Sequence, residues 1–129
     1  METELFEICE QLRRDAGGKK VMVCGSDGEV TVHAGEAGAF DDETGDAVAS
    51  VVADVLLGAS SGQPSEDVMA VLPRALSVCA APLGTRAVLV IVYDTVTSID
   101  RVRVKMRRAR EQILKILPSE AGKGTPKTS

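Results

Sequence analysis

The run Ala87-Val88-Leu89-Val90-Ile91-Val92-Tyr93 constrains this chain more than any other stretch. Val and Ile, branched at Cβ, favour extended backbone. The run is far too short to cross a bilayer, which takes about 20 apolar residues as a helix. It also lacks the polar alternation of a strand with one wet face. A strand of this kind belongs at the centre of a sheet that is covered on both sides. The chain has 129 residues, 44% of them apolar, enough for one domain with a real core and no disulfide or metal.

The flanking segments supply the remaining elements. In Thr3–Ala16 the apolar residues Leu5, Ile8, Cys9, Leu12 and Ala16 recur at helical spacing. Thr3 is the expected cap, and Gly17-Gly18 the expected stop. Two β-rich runs, Val21–Cys24 and Val30–Ala34, flank Gly25-Ser26-Asp27-Gly28, a strong hairpin signal. Val30, Val32 and Ala34 alternate with Thr31 and His33, so one face of that strand is covered. A second helix follows, with Asp41, Asp42, Glu43, Thr44 and Asp46 crowding its start, where caps and acids are favoured. Its stripe of Val48, Val51, Val52, Val55 and Leu56 suits either a sheet or a second helix. Three further strands are expected near Val68–Leu72, Ala75–Ala80 and Arg86–Tyr93, with Pro73 marking the first as an edge and Pro82–Thr85 as a turn. The predicted architecture is an α/β sandwich around one five-stranded antiparallel sheet with helices on both faces. It occupies residues 1–117; residues 118–129 read as a small, polar, disordered tail.

Several functions are disfavoured. There is no Trp, and the aromatic residues are Phe6, Phe40 and Tyr93, too few for a base-stacking platform. The three cysteines, Cys9, Cys24 and Cys79, are scattered through apolar patterns, and His33 is the single histidine, so no zinc spacing exists. The acidic start "METELFEICEQ" is no secretory signal. No phosphate loop, nucleophile–base pair or calcium-loop spacing is present, and Gly122–Thr125 lacks the preceding strand such a loop needs. The expectation is a cytoplasmic protein that is not an enzyme. It should need no cofactor or metal and should neither bind nucleic acid nor insert in a membrane.

Charge is unevenly placed. The net charge is −4, yet seven of the fifteen Lys and Arg residues fall between Tyr93 and Leu117. Ile99, Val102, Met106, Ala109, Ile113 and Ile116 define one apolar face there, while Arg103, Arg107, Arg108, Arg110 and Lys115 fall on the flanks and the opposite side. That pattern fits a helix packed on the sheet with a solvated basic face, open to a protein partner.

The order helix, hairpin, helix, three strands, helix, with "AVLVIVYDTVTSIDRVRVKMRRAREQI" at its end, resembles the roadblock/dynein light chain family, and more narrowly its bacterial MglB-like members. In that group a very apolar strand runs into Asp, a short Thr/Ser turn and a helix rich in Arg and Lys; here these are Val88–Tyr93, Asp94, Thr97-Ser98 and Val102–Lys105. Asp100 and Arg101 stand where members usually carry Gly and an aliphatic residue. The resemblance, over residues 4–117, implies a homodimer, or a mixed dimer with another roadblock protein, joined through the second helix and the middle strand. On that reading Val48, Val51, Val52, Val55, Met69 and Val71 form the dimer interface. It also implies binding to a Ras-like small GTPase through Asp46, Ala47, Ser50, Asp54, Arg107 and Arg108, with faster GTP hydrolysis and no inserted arginine. The alternative implied is a scaffold or adaptor for a polarity, motility or transport complex, without effect on hydrolysis.

Overall fold

The structure, a computed structural model, describes residues 2–25, 30–35, 42–60, 68–72, 76–84, 87–94 and 97–116. The elements run α1 (Glu2–Ala16), β1 (Lys20–Gly25), β2 (Val30–Gly35), α2 (Asp42–Ser60), β3 (Val68–Leu72), β4 (Leu76–Leu83), β5 (Ala87–Asp94) and α3 (Ile99–Ile116). All strand pairs are antiparallel, in the order β2-β1-β5-β4-β3. The apolar run is therefore the central strand. Its alternating side chains feed two cores: Leu89, Ile91 and Tyr93 meet α1 and α3 on one face, and Val88, Val90 and Val92 meet α2 on the other. Each of these six is at most 2% exposed. Full burial of an aliphatic side chain contributes about 1.5–3 kcal/mol. This strand is therefore a major source of stability on both faces.

Backbone chemistry fixes the helix ends that position those layers. Gly17 takes a positive φ of 74°, and the Gly18 N–H donates to the Arg13 carbonyl at 2.8 Å, the six-to-one closure of a glycine-terminated helix. At the start of α3, the Ser98 Oγ accepts from the Arg101 N–H at 3.3 Å, a serine cap. Between β5 and that cap, Thr97 donates from N and from Oγ1 to Asp94, each at 3.1 Å.

Some expectations need correction. Thr3 does not cap α1, because helical backbone already includes Glu2. Pro82 and Leu83 are strand rather than turn, pairing with Val88 and Ala87. A proline is tolerated there because the described ladder on the β3 side ends at Val68–Ala80, so no backbone donor is needed at Pro82 on that side. Ile99 is half exposed rather than part of the buried stripe of α3, since the helix has only begun there. Ser26–Gly28, Pro73, Ala75, Thr85, Arg86, Asp41 and the tail 118–129 lie outside the described residues, as do the side chains of Asp42 and Glu43.

Gly35 ends β2 with a φ of 118°, and a Cβ there would run into the Lys19 carbonyl oxygen and lie 2.8 Å from Cδ of Arg13. Gly45, in the first turns of α2, has open space around it. Gly35→Ala should therefore lower stability by about 2 kcal/mol or more, while Gly45→Ala should raise it by about 0.5–1 kcal/mol. Urea denaturation of the two variants checks both signs.

Candidate functional site

Val48, Val51, Val52 and Val55 lie between 5 and 8% exposed, packed with Leu72, Val78, Ala80 and Val90 of their own sheet. Within one molecule their packing is thus on their own sheet. Helical spacing puts all four on one arc of α2, and the sheet below covers that arc completely. They hold the helix in place; what a second molecule can reach is the opposite crest. Asp46, Ala49, Ser50, Ala53 and Asp54 are exposed there, with Ala47 half buried beside them. Leu57, 70% exposed on the same crest, was not anticipated. Its signal was available: it falls outside the arc that the four valines define.

β3 is an edge strand, paired only with β4 among the described residues. Val68, Ala70 and Leu72 pack toward α2. Met69 and Val71 alternate to the other face, where they are 41% and 81% exposed. On that face α3 lies over β4 and α1 over β1 and β2. These two side chains are thus as accessible as an interface residue must be.

The basic residues of α3 divide by task. The Arg101 Nε–H donates to the Asp15 carbonyl oxygen at 2.7 Å, tying the last turn of α1 to the first turn of α3. Asp100 in that first turn suits the positive end of the helix dipole. The pair that departs from the Gly-aliphatic pattern thus has a local structural use. Further along, the Arg110 Nε–H donates to the Pro82 carbonyl oxygen at 2.6 Å and fastens α3 to β4. Arg107 and Arg108 are exposed. Within one molecule they lie across the sheet from Asp46, Ala47, Ser50 and Asp54.

Between α1 and α3 lies a cleft of about 160 Å³ whose polar lining includes Gln11, Asp15, Lys105, Arg108 and Gln112. The Gln11 side-chain amide donates to the Asp15 carboxylate at 2.8 Å. On α1, Glu10 accepts from Arg13 at 2.6 and 3.0 Å and from Arg14 at 3.1 Å, which holds its carboxyl below the usual range. His33 is exposed on β2, its pKa lowered by partial desolvation and by Lys20. All three cysteines are buried. Among the described residues no group of His, Cys, Asp and Glu is placed to hold a metal ion, and no helix is long and apolar enough to cross a membrane. What the described geometry offers is faces for macromolecular contact: the crest of α2, the edge and outer face of β3, and the exposed outer side of α3.

No protein-family model matches the chain, and no curated relative does. Solved structures do. The chain is similar to MglB of Myxococcus xanthus, with 26% identity, 88% of this chain and 94% of that one covered, and a TM-score of 0.69. It is also similar to the gliding protein MglB of Thermus thermophilus, at 20% identity over 89% of each chain with a TM-score of 0.70. A Roadblock/LC7 domain from Streptomyces avermitilis matches at 15% identity, over 84% of this chain and 92% of that one, with a TM-score of 0.64. The fold is that of roadblock/LC7 domains.

Burial pushes the Cys9 thiol up to about 12 and raises that of Cys24. A folded pKa above the unfolded value, about 8.5, means stability that is complete below that value and is lost as pH rises toward 12. Stability measured by urea between about pH 8 and 10.5 should fall, by up to about 1.4 kcal/mol per pH unit for one thiol. Cys9→Ala should flatten that slope, whatever its effect at neutral pH.

Proposed function

Given a roadblock-type, MglB-like protein, we propose that it acts as a dimer, binds a Ras-like small GTPase and accelerates GTP hydrolysis. The observation that carries the reading is the likeness to Myxococcus xanthus MglB over nearly the whole of both chains. The β3 edge supports dimer formation. It has five residues, Val68–Leu72, without charge or proline. Such an edge invites pairing with another strand, and Met69 and Val71 would extend the contact across its outer face.

Pairing at β3 would bring two α2 crests to the same side of a joined sheet. Asp46, Ser50 and Asp54 of each copy would then be offered to the partner, with Ala47 at the margin. This crest has a mechanistic consequence. From Asp42 to Ser60 the helix contains no Lys or Arg. It has no cation to place against a transferring phosphoryl group, so acceleration from this face would work by ordering the GTPase's own catalytic groups. Arg107 and Arg108, on the opposite side of the sheet, are left to a different contact.

An affinity capture with this protein as bait, in GDP and in a non-hydrolysable GTP analogue, tests the reading. A Ras-like GTPase held only with the analogue, and hydrolysing GTP faster when the bait is added, is the expected result. Asp46→Lys with Asp54→Lys should weaken that capture about tenfold or more, roughly 1.4 kcal/mol. Partners held equally in both nucleotides, with no GTPase among them, would replace this reading with the adaptor, because a regulator must bind the two states unequally.

A further inference from the structure

The cleft of about 160 Å³ between α1 and α3 has no part in the contacts proposed at α2 and β3. Its two walls differ in chemistry. α1 supplies acceptors, Gln11 and Asp15, four residues apart and so on one side of the helix. The Gln11 amide donates to one Asp15 oxygen at 2.8 Å. That leaves the second carboxylate oxygen and the Gln11 side-chain oxygen to accept from something else. The Arg101 bond to the Asp15 backbone carbonyl holds this turn in place. α3 supplies donors: Lys105, Arg108 and Gln112, at spacings of three and four. Among the described residues, none of these three makes a hydrogen bond or an ion pair.

Neighbouring charges leave these groups unmatched. Lys105 is half buried, and the residues one turn from it on α3 are Arg101, Val102, Arg108 and Ala109, none of them an acid. Glu111 lies three residues beyond Arg108, yet no ion pair joins them, and none joins Lys105 to Asp15 across the gap. A half-buried ammonium without an acceptor costs free energy that an anionic ligand group would offset. An inorganic oxyanion would satisfy α3 but set a negative charge against Asp15. A simple cation would do the reverse. A zwitterion satisfies both walls. The floor is apolar, with Leu12 and Ala109 buried and Ile8 partly so. Pockets for drug-sized ligands run to about 300–1,000 Å³, so this cleft suits a molecule of few non-hydrogen atoms with a short apolar side chain.

We propose that this cleft binds a small α-amino acid, whose ammonium group donates to Asp15 and Gln11 of α1 and whose carboxylate accepts from Lys105, Arg108 and Gln112 of α3. The three donors of an ammonium and the lone pairs of a carboxylate suit those two sets. The ligand's side chain, a hydrogen or a methyl group, lies against Leu12 and Ala109. The rim is open to water and salt screens its charges, so affinity is modest, about millimolar. The site lies on the face of the sheet opposite α2. It goes beyond the proposed function and needs neither a GTPase nor pairing at β3.

NMR titration of the isotope-labelled full chain tests this, with alanine as the probe. Alanine should shift backbone amides of α1 and α3 saturably and those of α2 little. N-acetylalanine, which lacks the ammonium, and alaninamide, which lacks the carboxylate, should each bind at least about tenfold more weakly. In Asp15→Asn, alanine should weaken about tenfold while N-acetylalanine is unchanged or tighter. In Lys105→Gln with Arg108→Gln, alanine and N-acetylalanine should weaken together while alaninamide holds. Lys105→Gln alone should do the same to a smaller degree and serves if the double variant fails to fold. Inorganic phosphate, the probe for a plain anion site, should bind more weakly than alanine. The absence of a saturable shift in α1 and α3 with alanine up to about 50 mM overturns the proposal. So does any of the other three probes binding the wild type as tightly as alanine, or variants that bind alanine as the wild type does.

Discussion

The burial of β5 on both faces sets the terms for every other element. A strand with Val88, Val90 and Val92 on one side and Leu89, Ile91 and Tyr93 on the other leaves neither side for water. Two apolar layers must therefore be built from the rest of a short chain. α1 and α3 flank the strands in sequence, and together they form one layer, joined by Arg101 reaching the Asp15 carbonyl. α2 alone forms the other, and four small valines let it lie close to the sheet. The three-layer arrangement is thus a response to one strand. It also decides that the acidic helix and the basic helix face opposite directions.

The arginines of α3 show how magnitude separates structure from recognition. Arg101 and Arg110 donate charge-assisted bonds to backbone carbonyls that bridge elements; the half-buried one from Arg110 contributes about 1.5–3 kcal/mol, the exposed one from Arg101 less. Exposed ion pairs contribute about 0–1 kcal/mol. Arg107, exposed, therefore has little to add to folding. Its charge there costs little and stabilises little. The helix that reads in sequence as amphipathic with a basic outer face thus includes two arginines, Arg101 and Arg110, that fasten it to its neighbours.

Much of the fold was legible because periodicity reports burial. The alternation from Thr31 to Ala34, the helical stripe of α1 and the unbroken run of β5 all placed residues where the structure has them. The site was less legible, for a physical reason. A stripe such as Val48, Val51, Val52 and Val55 announces that one helix face is covered, but not by what; sheet and partner helix select the same residues. Nor does a list of charges report which side of a sheet each helix takes. Asp54 and Arg107 therefore read as members of one surface until the layers were known. Pro82 misled for a related reason, since a proline breaks a ladder only where a donor is needed, and that depends on how far the neighbouring strand extends.

The two edges of the sheet differ in what they show to water. β2 turns Thr31 and His33 outward, and α1 lies over its other face, so its exposed side is largely polar. β3 turns Met69 and Val71 outward without a charge among its five residues and without a helix over that face. Sheet edges are usually blunted by lysine, proline, a bulge or a covering element. β3 has none of the first two within its span, and the bulge in this sheet lies at Val23–Cys24, on the far side. Exposed apolar area at an unprotected edge costs free energy and solubility at once. Pairing two such edges would satisfy the open backbone groups of β3 and leave Val68, Ala70 and Leu72 packed on α2. The association at β3 proposed above would therefore ask little rearrangement of this fold, and would leave the crest of α2 open.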